Sequence, residues 1–207
     1  MFAKDGIPLL VSLFTGCIVA LLGGFLFASQ LLIGICFFFL ALFMFFAYFF
    51  RDPERNCGEG IVSPADGVVT DVKKSGGQWF ISVFMNVHDV HVNRAPEEGK
   101  IVRVNHFSGR HRIAFGKRNA ENEHTVIEIE SKHGKIRVVQ IAGIFARRIH
   151  TYVREGMFVK KGERIGIIFL GSRVNLYLPE NVVIDVKKGM RVRAGETSVG
   201  EWKDDVD

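Results

Sequence analysis

Two apolar runs in the first 50 residues constrain the fold of this chain most strongly. Pro8–Ala28 and Leu31–Phe50 contain 21 and 20 residues and no charged side chain. As an α-helix each run would be about 30 Å long, which matches the hydrocarbon core of a bilayer. Only Ser29 and Gln30 separate the runs, so the sequence predicts either a hairpin of two transmembrane helices or one span preceded by an interfacial segment. A cleaved signal peptide is disfavoured because its apolar core is shorter.

Charge divides the chain where the second run ends. Residues 1–50 contain only Lys4 and Asp5 as charged residues, whereas residues 51–207 carry 26 basic and 21 acidic residues. We therefore predict a membrane anchor over 1–50 and a water-exposed domain over 51–207, whose net charge of +5 suits an anionic membrane surface.

Basic residues flank both apolar runs, and the positive-inside tendency then puts this domain on the cytoplasmic side of the cell membrane. The three scattered cysteines, Cys17, Cys36 and Cys57, are too few for a disulfide framework and agree with a reducing compartment.

The domain after Pro53 is predicted to be mostly β, because Val- and Ile-rich segments alternate there with Gly and Pro. A polar loop is expected over 109–122, and a partial helical turn near Phe145–His150. The predicted strands are Ile61–Val62, Gly67–Val72, Trp79–Val87, Lys100–Phe107, Thr125–Glu130 and Ile136–Ile141.

An internal repeat occupies the C-terminal third. Gly156–Glu163 recurs 33 residues later as Gly189–Glu196, with Gly, Met, Val, Gly and Glu at the same positions. Such a repeat favours two similar β-hairpins about a pseudo-two-fold axis, as in the barrel-sandwich domains that carry lipoyl and biotinyl groups. The repeat predicts a fold and does not by itself predict a carrier function.

A Gly171–Ser172 step interrupts what reads as a hydrophobic strand, and a glycine inside a strand usually marks a bulge or a close backbone approach. The purely structural interpretation is a strand bulge formed by small residues. The chemical interpretation is that the Ser172 hydroxyl attacks the Gly171 carbonyl, and that elimination and hydrolysis then leave a pyruvoyl group at residue 172.

A self-cleaving serine needs a base and a group that orients the base. Asp66 lies in Ser-Pro-Ala-Asp-Gly, where it is a candidate carboxylate, although an Asp in a turn more often bonds its own backbone. His88 and His91 can serve one site only if the chain bends near Asp89, because residues three apart on a strand point to opposite faces. The histidine spacings match no zinc pattern, so no metal is expected.

Taken together, the ordered motifs resemble the phosphatidylserine decarboxylases, specifically their short prokaryotic form. The motifs are Phe-Phe-Arg-Asp-Pro at 49–53, Ser-Pro-Ala-Asp-Gly at 63–67, His-Asp-Val-His-Val-Asn-Arg at 88–94, Glu-Asn-Glu at 121–123, Gln-Ile-Ala-Gly at 140–143 and Gly-Ser at 171–172. The resemblance implies a proenzyme that cuts itself into residues 1–171 and 172–207.

The resemblance also implies roles for individual residues. Asp66, His91 and Ser172 would form the self-cleavage triad, His88 would act in decarboxylation, and Ser172 would become the covalent pyruvoyl cofactor. The ketone would form a Schiff base with phosphatidylserine and yield phosphatidylethanolamine. Arg173 departs from the Leu-Gly-Ser-Thr sequence of longer bacterial members.

Two alternatives remain open at this stage. An archaetidylserine decarboxylase would perform the same chemistry on an ether lipid, and a membrane-anchored adaptor with a barrel-sandwich domain would perform none. The implied partners are an aminophospholipid, the membrane and the two chains of one proenzyme. No nucleic-acid partner is expected, and self-association is left open.

Overall fold

The chain divides into two units, Met1–Glu54 and Arg55–Asp207. The computed structural model describes residues 1–109, 122–143, 148–169 and 172–203. The predicted loop over 109–122 therefore lies almost entirely outside the described residues.

The N-terminal unit is a pair of helices. A 3-10 turn over Lys4–Gly6 leads into α1 (Ile7–Leu26), and α2 follows over Gln30–Phe49. The two helices correspond to the two apolar runs, and the number of membrane passes stays a prediction. Both helices are long and apolar enough to cross a membrane.

Short contacts set the turn and the ends of this helix pair. Ser29 is the N-cap of α2, and its hydroxyl accepts a hydrogen bond from the Leu32 amide. At the other end, the Ala3 amide donates to the Phe50 carbonyl at 2.8 Å, so the chain before α1 is joined to the end of α2.

The second unit is built of β-strands, as the Val- and Ile-rich pattern predicts. Each of the six predicted segments contains a strand, with ends shifted by a few residues. The strands are β1 (Ile61–Val62), β2 (Gly67–Ser75), β3 (Gln78–Met85), β4 (Val92–Arg94), β5 (Gly99–Phe107), β6 (His124–Ser131), β7 (Gly134–Ala142), β8 (Ile149–Thr151), β9 (Phe158–Val159), β10 (Arg164–Ile168), β11 (Ser172–Pro179), β12 (Val182–Ile184), β13 (Arg191–Val192) and β14 (Ser198–Trp202).

In the described part of the chain these strands form three antiparallel sheets. The largest has eight strands in the order β13-β2-β3-β11-β7-β6-β5-β9 and curls into a half-barrel. The smaller sheets have the orders β1-β14-β12 and β4-β10-β8. Strand β11 is central to the large sheet because it pairs with β3 on one side and β7 on the other.

Alternation along β11 separates the two faces of the large sheet. Ser172, Val174, Leu176 and Leu178 are buried in the core, whereas Arg173 and Tyr177 point to the opposite face. The core therefore lies on the side of the sheet to which Ser172 belongs.

The two copies of the sequence repeat adopt the same local structure. Gly156 and Gly189 have φ of 88° and 92°, and their amides donate to Ile101 and Val69, respectively, each at 2.8 Å. The copies contribute β9 and β13, which are the two edge strands of the large sheet. This arrangement agrees with two related halves, and the lipoyl- and biotinyl-like assignment remains a prediction.

Two local expectations need correction. Ser172 does not continue the strand that precedes it, because β10 ends at Ile168 in a small sheet and β11 begins at Ser172 in the large one. The chain changes sheets between these strands. The predicted helical turn over 145–150 is also wrong in its described part, because Ile149 begins β8, where it pairs with Ile168.

Candidate active site

Ser172 is the first residue of β11 and is fully buried. Its register partners are Met85, the last residue of β3, and Ala142, the last residue of β7. The Ser172 hydroxyl donates to the Met85 sulfur at 3.6 Å. The serine therefore sits at the common end of three paired strands, on their core face.

A chain of buried polar side chains continues from this serine. The Asn93 amide donates to the Met85 sulfur at 3.7 Å, and the Gln140 amide donates to Asn93 Oδ1 at 2.8 Å. Gln140 Oε1 is buried with no hydrogen-bond partner in the described part of the chain. Such an acceptor is costly to bury unless a donor reaches it, so a polar ligand or water fits beside it.

Gly166 leaves room for this polar chain. A Cβ atom at Gly166 would lie 2.8 Å from Gln140 Nε2 and 2.6 Å from the His150 carbonyl oxygen. A side chain on this residue of β10 would displace Gln140 or the backbone of β8.

The expected bend near Asp89 is present and separates the two histidines. Strand β3 ends at Met85, a turn follows over 87–88, and β4 begins at Val92. The Asp89 amide donates to the Asn86 carbonyl, and the Asp89 carboxylate accepts from the Asn86 amide at 2.8 Å. This side-chain acceptance is the typical way in which Asp stabilises a tight turn.

His91 is fully buried. Its hydrogen bond determines which ring nitrogen carries the proton. His91 Nδ1 lies 2.9 Å from the Asp89 carbonyl oxygen, which can only accept, so Nδ1 carries the proton. In the neutral ring Nε2 is then the basic nitrogen. The Ile168 amide donates to the His91 carbonyl at 3.3 Å, which ties His91 to the end of the strand that precedes Ser172.

His88 differs from His91 in its exposure, because 58% of its side chain is accessible to solvent. His88 Nε2 lies 3.8 Å from Asp89 Oδ1, and Arg191 Nη2 lies 2.6 Å from the same oxygen. The Asp89 carboxylate thus faces an imidazole and a guanidinium, and Arg191 comes from the segment that follows Ser172.

Asp66 has different partners from those expected of a residue that orients a histidine. Its carboxylate pairs with both terminal nitrogens of Arg55, at 2.6 and 2.8 Å, and accepts from the Ala194 amide at 2.8 Å. Arg55 also donates to the Ala194 carbonyl. Among the described residues, the Nδ1 partner of His91 is the carbonyl of Asp89 rather than Asp66.

The structure therefore links His91 by a backbone hydrogen bond to Ile168, four residues before Ser172, and places His88 in the turn that precedes His91. Gly171 lies outside the described residues, so the geometry of the Gly171–Ser172 peptide is not described. The roles assigned to Asp66, His88, His91 and Ser172 remain predictions.

Sequence reasoning did not assign roles to several residues around Ser172. Asn122 donates to the Ala142 carbonyl, and the Ala142 amide donates to the Glu123 carbonyl. These two hydrogen bonds fix the end of β7 beside Ser172. Asn93, Asn122 and Gln140 all lie in motifs that carried the family resemblance, so their position in those motifs was the available signal. Met85 and Arg191 gave no such signal.

Comparison with known proteins identifies the family. A family model described as phosphatidylserine decarboxylase matches residues 42–200. A Methanococcoides burtonii protein named "Putative archaetidylserine decarboxylase proenzyme" is 42% identical, over 98% of this chain and 97% of that protein. The phosphatidylserine decarboxylase proenzyme of Streptomyces coelicolor is 46% identical, over 73% of this chain and 71% of that protein.

These matches define the class of protein as decarboxylases that are made as proenzymes and act in phospholipid metabolism. The chain belongs to the phosphatidylserine decarboxylase family, and it is a decarboxylase.

Proposed function

We propose that this chain decarboxylates phosphatidylserine to phosphatidylethanolamine after cutting itself at Gly171–Ser172. The observation that supports the proposal is that Ser172 is fully buried at the first position of the central strand β11. The preceding strand, β10, ends four residues earlier in the sequence, at Ile168. A cut before Ser172 removes only the amide of the first residue of β11 and leaves the backbone pairs from Arg173 onward in place, so the fold tolerates a chain end there.

The self-cleavage begins with the Ser172 oxygen. It attacks the Gly171 carbonyl carbon, the carbon–nitrogen bond of the peptide breaks, and an ester replaces it. Loss of the Ser172 α-proton expels the Gly171 carboxylate and leaves dehydroalanine. Tautomerisation and hydrolysis release ammonia and leave a ketone on residue 172. The products are residues 1–171 and 172–207.

His91 is the base of this proposal. Its Nδ1 proton is held by the Asp89 carbonyl, so Nε2 is the nitrogen that can accept a proton from a hydroxyl. Asp66 is proposed to support cleavage through its ion pair with Arg55 and its bond to the Ala194 amide, which fix the segment after Ser172.

The pyruvoyl group on residue 172 would supply a ketone that condenses with the substrate amine and draws electrons from the bond to the departing carboxylate. Met85 fits such a group because its thioether contacts residue 172. The amides of Asn93 and Gln140 continue from Met85, and Gln140 Oε1 is an acceptor without a donor in the described part of the chain.

His88 is proposed as the proton donor that follows loss of CO2. Imidazole is a common general acid, and Asp89 Oδ1, which lies 3.8 Å from His88 Nε2, positions the ring. Its exposure allows the proton to be replaced from water between turnovers.

The helix pair is proposed to anchor the enzyme in the cell membrane, with the unit from Arg55 onward on the cytoplasmic side. The substrate of this reaction stays in the bilayer, so an anchored enzyme meets it by lateral diffusion. The proposed partners are thus the membrane and an aminophospholipid.

An archaetidylserine decarboxylase is the second candidate function. The specific observation is that relatives with either printed name match this chain at 42–46% identity, including a 46% match in Archaeoglobus fulgidus over 77% of this chain. Incubating the purified enzyme with each lipid and measuring CO2 release separates the two. Family membership disfavours the adaptor alternative.

Intact mass tests the proposal directly. The wild-type chain should yield a 36-residue C-terminal fragment with a blocked, ketone-bearing N-terminus. Ser172→Ala should remain one chain and release no CO2, because both the nucleophile and the precursor of the ketone are lost. A fragment starting at residue 172 in that variant would contradict the mechanism.

The two histidines should separate the two reactions. His91→Ala should remain uncut because the proposed base is lost, whereas His88→Ala should be cut and lose at least about 100-fold in turnover, as is typical for removal of a general acid. His133→Ala is the matched control, because this histidine stacks on Trp202 instead. Normal turnover by cleaved His88→Ala would remove His88 from the donor role.

A further inference from the structure

The face of the eight-stranded sheet opposite the core forms a large groove. The groove has a volume of about 1390 Å³ and is lined by side chains from β2, β3, β5, β6, β7 and β11. That exceeds the ~300–1000 Å³ of ordinary small-molecule pockets. Ser172 points to the opposite face of β11, so this groove is separate from the candidate active site.

Strand register arranges the groove in rows that run across the sheet. The row nearest the Ser172 end consists of Phe107, His124, Ile141 and Arg173, which are successive register partners. Phe107 and His124 stack with ring centroids 4.7 Å apart. This row therefore combines one guanidinium with flat or branched apolar surface.

A charged row lies at the other end of the groove. It contains Arg103, Glu128, Arg137 and Tyr177 in register, about four residues or ~14 Å along the strands from the first row. The Arg137 Nε donates to Glu128 at 3.2 Å. Two asparagines and two valines fill the row between.

Cations exceed carboxylates in this groove. Among its described lining residues five are Lys or Arg and two are Asp or Glu, so the lining has a net charge of +3. Glu128 pairs with Arg137, and Asp71 pairs with Lys73 at 3.1 Å. Arg103, Arg173 and Lys188 are left without a carboxylate within salt-bridge distance in the described residues.

Among the cations of the groove, Arg173 has a buried donor atom, Nε, that lacks a hydrogen-bond partner among the described residues. Burial lowers the pKa of Arg173, and the negative charge of Asp71 opposes that effect. A guanidinium stays charged at neutral pH nonetheless, so an anion in the groove would offset a charge that no described carboxylate pairs with.

We propose that this groove binds an anionic phospholipid, with the phosphate at Arg173 and hydrocarbon against the aromatic and aliphatic lining. The net positive charge selects an anion, and the volume with its apolar rows selects an attached chain rather than a free ion. The site is a second lipid site on the back of the strand that begins with Ser172. The inference does not depend on the proposed self-cleavage or decarboxylation.

Calorimetric titration of the full-length protein in a neutral detergent tests this site. The probe is dihexanoyl phosphatidic acid, which has no amine and so cannot react with a ketone. Dihexanoylglycerol and inorganic phosphate are the comparison ligands. The variants are Arg173→Gln and Arg103→Gln, and Arg193→Gln is the matched control because it is exposed and pairs with Glu196 outside the groove.

The expected result is binding of phosphatidic acid that Arg173→Gln weakens about tenfold, as for loss of one charge-assisted hydrogen bond, and that Arg193→Gln leaves unchanged. The uncut Ser172→Ala chain should bind equally well. Thermal unfolding verifies that each variant is folded.

Three outcomes would overturn the proposal. If dihexanoylglycerol binds as tightly as phosphatidic acid, the cations of the groove do not contribute to binding. If inorganic phosphate binds as tightly as phosphatidic acid, the apolar lining does not contribute. No lipid binding, together with a change in sedimentation of the groove variants, would instead assign this face to contact between copies of the chain.

Discussion

Asp89 contacts the two histidines through different groups. Its backbone carbonyl holds His91 Nδ1 at 2.9 Å, and its carboxylate lies 3.8 Å from His88 Nε2. The carboxylate also accepts from Arg191, which belongs to the segment after Ser172. One residue therefore positions the proposed base through its main chain and the proposed donor through its side chain.

Asp89→Ala should separate these two contacts. The carbonyl is kept, so self-cleavage should proceed, whereas decarboxylation should fall about tenfold because the His88 ring loses the carboxylate that positions it. Cleavage is followed by intact mass and turnover by CO2 release. Asp185→Ala, which removes an exposed Asp outside both the turn and the groove, is the control. Equal loss of both reactions in Asp89→Ala would indicate collapse of the turn instead.

The Asp66–Arg55 pair is nearly buried, with 12% and 6% of the two side chains exposed. Removing one partner of a buried ion pair leaves the other charge uncompensated, which costs about 3–5 kcal/mol. We expect Arg55→Gln and Asp66→Asn each to lower the free energy of unfolding by that amount and to slow self-cleavage. Denaturant unfolding of the uncut Ser172→Ala background measures the first effect.

Comparing those variants also decides how Asp66 acts. If the carboxylate works through Arg55, both variants slow cleavage to a similar extent. If it acts directly on His91, Asp66→Asn abolishes cleavage and Arg55→Gln does not.

At the scale of elements, the start of β2 depends on a glycine that approaches another strand. Gly67 has φ of +145°, and a Cβ atom there would overlap the Phe84 carbonyl of β3. Gly76, in the turn between the same two strands, has φ of +58°, but a Cβ atom there would meet no described atom within 4 Å.

These glycines should respond differently to alanine. Gly67→Ala combines backbone strain with a backbone clash and should cost at least about 3 kcal/mol of unfolding free energy. Gly76→Ala should cost only the ~1–2 kcal/mol of a left-handed conformation. Denaturant midpoints of the two variants measure the difference, and similar midpoints would mean that β3 can move away.

At the scale of the whole molecule, the segment after Ser172 is part of the fold and not an appendage. It supplies β11 in the middle of the large sheet, β13 at its edge, and β12 and β14 in a smaller sheet. Trp202 of β14 is fully buried, and its indole nitrogen donates to Glu97 at 3.2 Å.

The two chains produced by the proposed cut should consequently stay together. Size-exclusion chromatography of the cleaved protein should give one peak that contains both chains, and guanidinium chloride should separate them. The uncut Ser172→Ala protein is the reference for elution volume. A small chain that elutes by itself without denaturant would contradict the central position of β11.

Local patterns in the sequence were sufficient for much of this protein. Apolar run length predicted both helices, because about 20 residues are needed to cross a bilayer. Segments rich in Val and Ile predicted the main strands. The repeat predicted two similar β-hairpins, and its two copies do share one local structure, but β9 pairs with β5 and β13 pairs with β2. The motif order predicted the family, since each motif is a short continuous stretch.

Tertiary structure decided which distant residues meet. The sequence placed Gly171–Ser172 inside one strand, but pairing with Met85 and Ala142 starts a new strand at Ser172. Likewise, the sequence did not predict that the Asp66 carboxylate pairs with Arg55, and its role in a triad with His91 stays a prediction. The physical reason is the sequence separation of the interacting residues. Helices, turns and strands depend on residues that are close along the chain, whereas the partner of a buried polar group depends on how distant strands pack together.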